Sequence, residues 1–101
     1  MAVASLDTIS QQLRTVCEKH HVARLRLFGS TAAGTDGPNS DVDLLVDYDP
    51  GYTPTFSNLV GLEQELSKLF DGRPIDLARP QDVHWFIRRS VLASARTVYE
   101  R

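Results

Sequence analysis

Asp41 and Asp43 stand two residues apart in the stretch Asp41-Val42-Asp43-Leu44-Leu45-Val46-Asp47. Its branched apolar residues read as a strand, and on a strand side chains two residues apart project from one face. Two carboxylates held that close repel unless a cation lies between them. Hard oxygen donors, with few nitrogens or sulfurs among them, suit Mg2+ or Mn2+. A third carboxylate, Asp76, lies between Ile75 and Leu77 in another apolar run. If that run is a strand beside the first, Asp76 completes a three-carboxylate cluster on one rim. Upstream, Gly29 lets the backbone approach a ligand closely, and Ser30 offers a hydroxyl near the start of a short helix. The unpaired N–H groups of such a turn favour phosphate oxygens. A phosphate cradle beside metal-binding carboxylates is what phosphoryl or nucleotidyl transfer requires.

Each feature has a plainer reading on its own. An Asp-x-Asp pair opening a strand is often a solvated edge, Asp76 could face solvent on an edge strand, and Gly-Ser is often a turn. Their coincidence in one short chain argues for chemistry. The other polar residues read as structural. Asp47 and Asp49 fit a solvated loop rim, and His20 and His21 suit the negative end of a helix dipole. His84 has no His or Cys at metal-ligand spacing, which argues against a zinc site there. Cys17 lies on an apolar stripe, and Trp85 and Phe86 are expected in the core at the start of the last helix. Tyr99 reads as packing or surface. Arg88 and Arg89 form a solvated face, or meet phosphates or an acidic partner.

The elements that must position these groups follow from periodicity. Residues 5–20 carry Leu6, Ile9, Leu13, Val16 and Cys17 at helical spacing, with Ser5 as N-cap. Residues 23–28 alternate apolar and basic and end at Gly29, a half-buried strand. Residues 29–40 form a loop with room for a short helix, residues 41–47 a second strand, and residues 48–53 a turn. A second helix starts near Thr53-Pro54, carries Phe56, Leu59, Leu62, Leu66, Leu69 and Phe70, and stops at Asp71-Gly72. Residues 74–78 form a third strand, and from Pro80 a last helix runs to the terminus along Val83, Ile87, Val91, Ala95 and Val98. The order predicts an α/β (α+β) fold, a small mixed sheet flanked by helices, with residues 1–101 as one domain.

Composition narrows the function further. The chain has 101 residues, 42% apolar and 24% charged, enough to bury a core without covalent staples. One cysteine excludes an internal disulfide framework. No apolar run reaches the ~18–20 residues of a membrane span, and no signal-peptide core is present, so the expectation is a cytoplasmic domain without membrane contact. The net charge of −2 hides an asymmetry, because no Lys or Arg occurs between Leu27 and Ser67 while Asp36, Asp41, Asp43, Asp47, Asp49, Glu63 and Glu65 do. From Arg73 onward the balance reverses. Unneutralised carboxylates repel nucleic-acid phosphates, which argues against a direct nucleic-acid partner, but an acidic centre can hold cations.

The run Gly29-Ser30, followed after a loop by Asn39-Ser40-Asp41-Val42-Asp43-Leu44-Leu45-Val46, resembles the nucleotidyltransferase signature of the DNA polymerase β superfamily. The chain's size and its ending, Ile87-Arg88-Arg89-Ser90-Val91-Leu92-Ala93 through Val98-Tyr99-Glu100, look more specifically like the minimal nucleotidyltransferase (MNT, MntA-type) domains encoded beside HEPN-domain toxins. The resemblance implies a polymerase β-like fold. It implies that Asp41 and Asp43 bind two Mg2+ ions (or Mn2+) and the nucleotide phosphates, and that Asp76 ligates metal and helps deprotonate the attacking hydroxyl. Gly29, Ser30 and Ser40 would hold ATP. It further implies an antitoxin that transfers AMP to a tyrosine of the HEPN ribonuclease, with which it forms a hetero-oligomer. In a two-metal scheme one ion activates the acceptor oxygen and the other steadies the leaving pyrophosphate, the ions being ~3.5–4 Å apart.

One departure stands out. The family pattern Gly-Ser-x-Ala-Arg-Gly reads here Gly29-Ser30-Thr31-Ala32-Ala33-Gly34, so the loop cation is missing. Countercharge to a triphosphate must come from metals, backbone N–H groups or arginines of the last third. The loss favours an alternative, an antitoxin that neutralises its toxin by binding alone, whereas the complete set Asp41, Asp43 and Asp76 favours the enzyme. Transfer to an antibiotic or to RNA usually needs an added acceptor domain, for which 101 residues leave little room.

Overall fold

A computed structural model describes residues 2–35, 37 and 40–101; for residues 2–9 and Ser30 it describes the backbone only. Asp36 and Asn39 and the side chains of Ser5, Leu6 and Ile9 therefore lie outside the described part. The elements are α1 (Ala2–Lys19), β1 (Val22–Leu27), α2 (Gly29–Ala33), β2 (Val42–Tyr48), α3 (Phe56–Leu69), β3 (Ile75–Ala78), a 3-10 turn (Pro80–Asp82), α4 (Trp85–Ser94) and β4 (Arg96–Glu100). The sheet order is β3-β2-β1-β4, with β2 and β3 parallel and the other pairs antiparallel. The expected mixed sheet flanked by helices is thus present.

α1 and α3 pack on each other and on the sheet, and the core forms between them. Leu13, Val16 and Cys17 of α1 and Leu62 and Leu66 of α3 meet Val22 and Leu25 of β1 and Val42, Leu44 and Val46 of β2. Cys17 is fully buried, as its place on the apolar stripe predicts, and burial pushes its thiol up to about 12. α1 ends at Lys19, after which His21 turns into left-handed backbone with φ of 62°. The His20 ring reaches Glu65 of α3 at 2.5 Å and Lys19 reaches the same carboxylate at 3.2 Å, which clips the two helices together. His20, read from the sequence as a helix-end residue, thus lies one residue past α1 and bonds across to α3.

α3 starts two residues later than its Thr53-Pro54 signal. Thr55 is the cap: its hydroxyl accepts from Asn58 N–H at 3.1 Å, and its own N–H donates to Asn58 Oδ1 at 2.8 Å. This reciprocal box satisfies two otherwise orphaned donors, which a start at Thr53 would not. Gly72, with φ of 78°, closes the other end by donating to Ser67 O at 2.8 Å.

The larger correction concerns the last helix. It does not run to the terminus: α4 spans Trp85–Ser94, and Ala95 turns extended. Arg96–Glu100 then pairs antiparallel with β1, with a bulge at Val98. Without β4, β1 would present a row of unpaired backbone groups at the sheet edge. Arg101 extends the ladder by donating to Ala23 O at 2.9 Å, and its guanidinium holds Asp49 at 2.7 Å. Asp47 likewise is not a loop residue; it lies within β2 and accepts from Arg24 at 3.2 Å and Arg26 at 3.1 Å of β1. Trp85 and Phe86 are not core residues either, being 74% and 75% exposed. Tyr99 packs half-buried against the core.

Candidate active site

The site is assembled where β1 ends. Leu27 closes the strand and Phe28 donates to Asp43 O at 3.0 Å, which carries the pairing with β2 one step further. Gly29 then takes φ of 61°, and α2 begins. Glycine is required there twice over. A side chain would be strained in left-handed backbone, and a Cβ would lie 2.8 Å from Asp43 Oδ2. Two residues on, Thr31 Oγ1 accepts from Asp43 N–H at 3.0 Å. Both backbone groups of Asp43 are thus held by the segment that follows β1, and its carboxylate lies against the bare face of Gly29.

The parallel pairing of β2 and β3 sets Asp43 opposite Asp76 in register. Neighbours in a parallel register project from the same face, so these two carboxylates share one rim. This is the juxtaposition that the two apolar runs predict. Asp76 is exposed and Asp43 half-buried.

Asp41 is exposed on the residue before β2 begins, and its flanking residues are gripped from one loop. Arg73 Nε donates to Ser40 O at 2.9 Å, and Val42 N–H donates to Pro74 O at 2.9 Å. Ser67 Oγ in turn donates to Arg73 O at 2.7 Å, tying the loop to α3. Ser40 Oγ accepts from Gly37 N–H at 3.0 Å, so this hydroxyl closes the turn before Asp41. The Ser30 side chain lies outside the described part. Thr31 and Arg73 are residues that the sequence does not advertise, since their partners lie 12 and 33 positions away.

Arg88 turns its guanidinium onto the Val83 and Gln81 carbonyls at 3.0 and 3.1 Å, which makes it a brace for the segment before α4 and not a solvated cation. Ala33 is exposed at the end of α2 and brings no charge. Among the described residues no three His, Cys, Asp or Glu side chains are close enough to hold a metal ion unaided. The donor chemistry of Asp41, Asp43 and Asp76 nevertheless fits a hard divalent cation, and the clearance at Gly29 leaves Asp43 Oδ2 without a Cβ against it. Substrate phosphate oxygens would complete such a set, as is usual for Mg2+.

The rim is open. Two grooves elsewhere, about 550 Å³ between α1 and α3 and about 430 Å³ between α1 and β4, include none of the three carboxylates. Their linings, Gln11, Thr15 and Lys68 in the first and Arg14, Glu18 and Tyr99 in the second, bring no converging reactive groups. No helix among the described residues is long and apolar enough to cross a membrane.

Known proteins resemble this chain in sequence and fold. A Methanocaldococcus jannaschii protein named "Putative protein adenylyltransferase MJ1379" is 32% identical over 86 residues, covering 84% of this chain and 85% of its own length. A solved structure described as a "putative minimal nucleotidyltransferase" superposes with a TM-score of 0.70 at 30% identity, over 89% of this chain and 92% of that one. A toxin–antitoxin crystallised with AMP-PNP gives a TM-score of 0.70 at 20% identity, over 91% and 73% of the two chains. At 15% identity, the complex of a tri-AMPylated Shewanella oneidensis HEPN toxin with its MNT antitoxin gives 0.63, over 95% and 73%. These last two likenesses speak for the fold. The model of the nucleotidyltransferase domain matches residues 9–98, from within α1 to within β4 and across the whole carboxylate rim, and the chain belongs to that family.

Proposed function

We propose that this chain, acting as one minimal nucleotidyltransferase domain over residues 1–101, is an antitoxin that transfers AMP from ATP to a tyrosine of a HEPN-domain toxin in the cytoplasm. The observation that carries the reading is the in-register pair Asp43 and Asp76 beside the Gly29 turn. A relative named as a protein adenylyltransferase, and similarly folded proteins described as antitoxins of AMPylated or AMP-PNP-bound systems, support it.

In this reading Asp41 and Asp43 hold Mg2+ or Mn2+, with Asp76 as a further ligand. The ions supply charge neutralisation for the triphosphate and for the leaving pyrophosphate. The residues of the chain do the rest. Asp76 accepts the proton as the tyrosine oxygen bonds to the α-phosphorus and the bond to pyrophosphate breaks. Gly29 and Ser30, through the α2 turn, and Ser40 hold the nucleotide. Thr31 keeps Asp43 in place through its backbone N–H, and the Arg73 loop does the same for Asp41. Transfer of this kind is mostly positioning and charge stabilisation, so the chain needs no nucleophile of its own.

Ala33 favours a second reading. Where relatives of the resemblance carry a cation, this loop carries a methyl group, and α2 brings no other charge. The alternative is an antitoxin that occludes its toxin without modifying it.

Incubation with labelled ATP, Mg2+ and the product of the neighbouring gene separates the two. Label on that protein, lost with Asp41→Ala/Asp43→Ala, is the expected result. Equal neutralisation by both versions without label would overturn transfer in favour of occlusion.

A further inference from the structure

α4 turns its apolar residues the wrong way for a helix that serves only to cover a sheet. Its half-buried side is Arg88, Val91 and Leu92, while Trp85, Phe86 and Ile87 are 74%, 75% and 50% exposed on the side that also carries Arg89 and Ser90. The aromatic end is built rather than loose. His84 Nδ1 caps the helix by accepting from Phe86 N–H at 3.1 Å, its ring stacks on Trp85 with centroids 5.8 Å apart, and Trp85 meets Phe86 edge-on at 5.7 Å. Rigid aromatics next to an arginine are the composition of binding hot spots.

We propose that this face of α4 is the docking surface for the protein that accepts the nucleotide, and that its counterpart is an apolar surface bearing a carboxylate opposite Arg89. The proposal rests on the transferase reading above. Two observations select this occupant. Arg89 lies one turn from Trp85 and Phe86 and makes no ion pair among the described residues, so the surface calls for an anion. In a two-fold pairing Arg89 would face its own copy only on the axis, so a second copy is kept as one of the outcomes of the test. The second observation is place. α4 packs on α2, whose first residue touches Asp43, and its ten residues span only about 15 Å. A contact of ordinary size, roughly 800 Å² on each partner, centred on α4 therefore lies beside the segment that adjoins Asp43.

The test pairs Trp85→Ala/Phe86→Ala and, separately, Arg89→Glu with the product of the neighbouring gene. All three side chains are exposed, so folding, checked by circular dichroism, is expected to persist. Three quantities are read: the acceptor concentration for half-maximal labelling, affinity for that protein by calorimetry, and binding of a fluorescent ATP analogue. The expected result is an at least ten-fold weaker acceptor affinity and half-saturation in both variants, with analogue binding unchanged. Wild-type acceptor affinity in both variants would overturn the proposal. So would loss of self-association in Trp85→Ala/Phe86→Ala with acceptor affinity intact, since a second copy would then be the occupant. If wild type binds the acceptor but never labels it, the transferase reading fails by itself, and the calorimetric comparison still decides the surface.

Discussion

Asp43 of β2 and Asp76 of β3 stand opposite one another in a parallel register, with Oδ2 of Asp43 against the open side of Gly29. Like charges directly opposite on one sheet face are destabilising, and here no cation among the described residues is paired with Asp76. Elsewhere the same sheet settles its acids: Asp47 takes two arginines and Asp49 takes Arg101. The contrast sets Asp76 apart from the acids that tie the strands together, as the proposed site requires.

Neutralising one of the opposed pair is therefore expected to affect activity and stability in opposite directions. Asp76→Asn removes the repulsion and, in the proposed mechanism, the proton acceptor together. Labelled transfer should fall roughly 10²–10⁴-fold, the usual loss for a general base. The thermal midpoint should stay level or rise. A matching fall in the midpoint would mark Asp76 as structural.

Gly29→Ala tests how closely the turn approaches the acid. The left-handed backbone at φ of 61° costs an alanine about 1–2 kcal/mol. In a domain of this size that lowers the midpoint by roughly 4–16 °C, since each kcal/mol corresponds to about 4–8 °C. The added Cβ must also displace Asp43 Oδ2, 2.8 Å away. Activity below the melting range is thus expected to fall along with Mg2+ affinity, and wild-type Mg2+ affinity would contradict the placement.

Arg73 grips Ser40 O, and the adjoining Pro74 grips Val42 N–H, so one loop brackets Asp41 on both sides. Arg73→Ala should raise the Mg2+ concentration for half-maximal activity several-fold more than it raises KM for ATP. Arg73→Lys should restore little of it, because a lysine ammonium lacks the planar donor geometry of the guanidinium. Direct Mn2+ binding followed by electron paramagnetic resonance gives the same answer without turnover. An unchanged metal dependence in Arg73→Ala would leave the bracket without a functional consequence.

What was legible in the sequence was local. The Asp41–Asp43 spacing, the Gly29 turn and the β2 and β3 runs all depend on residues a few positions apart, and the register of Asp43 with Asp76 follows once both strands exist. The end of the chain was not legible. Val83, Ile87, Val91, Ala95 and Val98 keep helical spacing past Ser94, and only the open edge of β1 draws Arg96–Glu100 into the sheet. Thr31 and Arg73 carry no signal in the sequence for the same reason, since each acts on a backbone group brought near by the fold. Trp85 and Phe86 show the converse: apolarity alone predicts burial, whereas their exposure follows from the side that α4 turns away from its neighbours.

The clip between α1 and α3 makes stability pH-dependent in a definite direction. The hydrogen bond from His20, and after it that from Lys19, holds the Glu65 carboxyl below its ordinary value of 4.5. A carboxyl whose folded value is depressed stabilises the native state above its unfolded value and loses that contribution as pH falls through the folded one. Urea midpoints of wild type should therefore exceed those of Glu65→Gln at pH 6, and the gap should shrink below about pH 4.5 and vanish in stronger acid. The pair is partly exposed, so solvent screens it and the gap should be small and narrow further in high salt. A gap that persists undiminished into acid would mean that Glu65 contributes through packing and not through its charge.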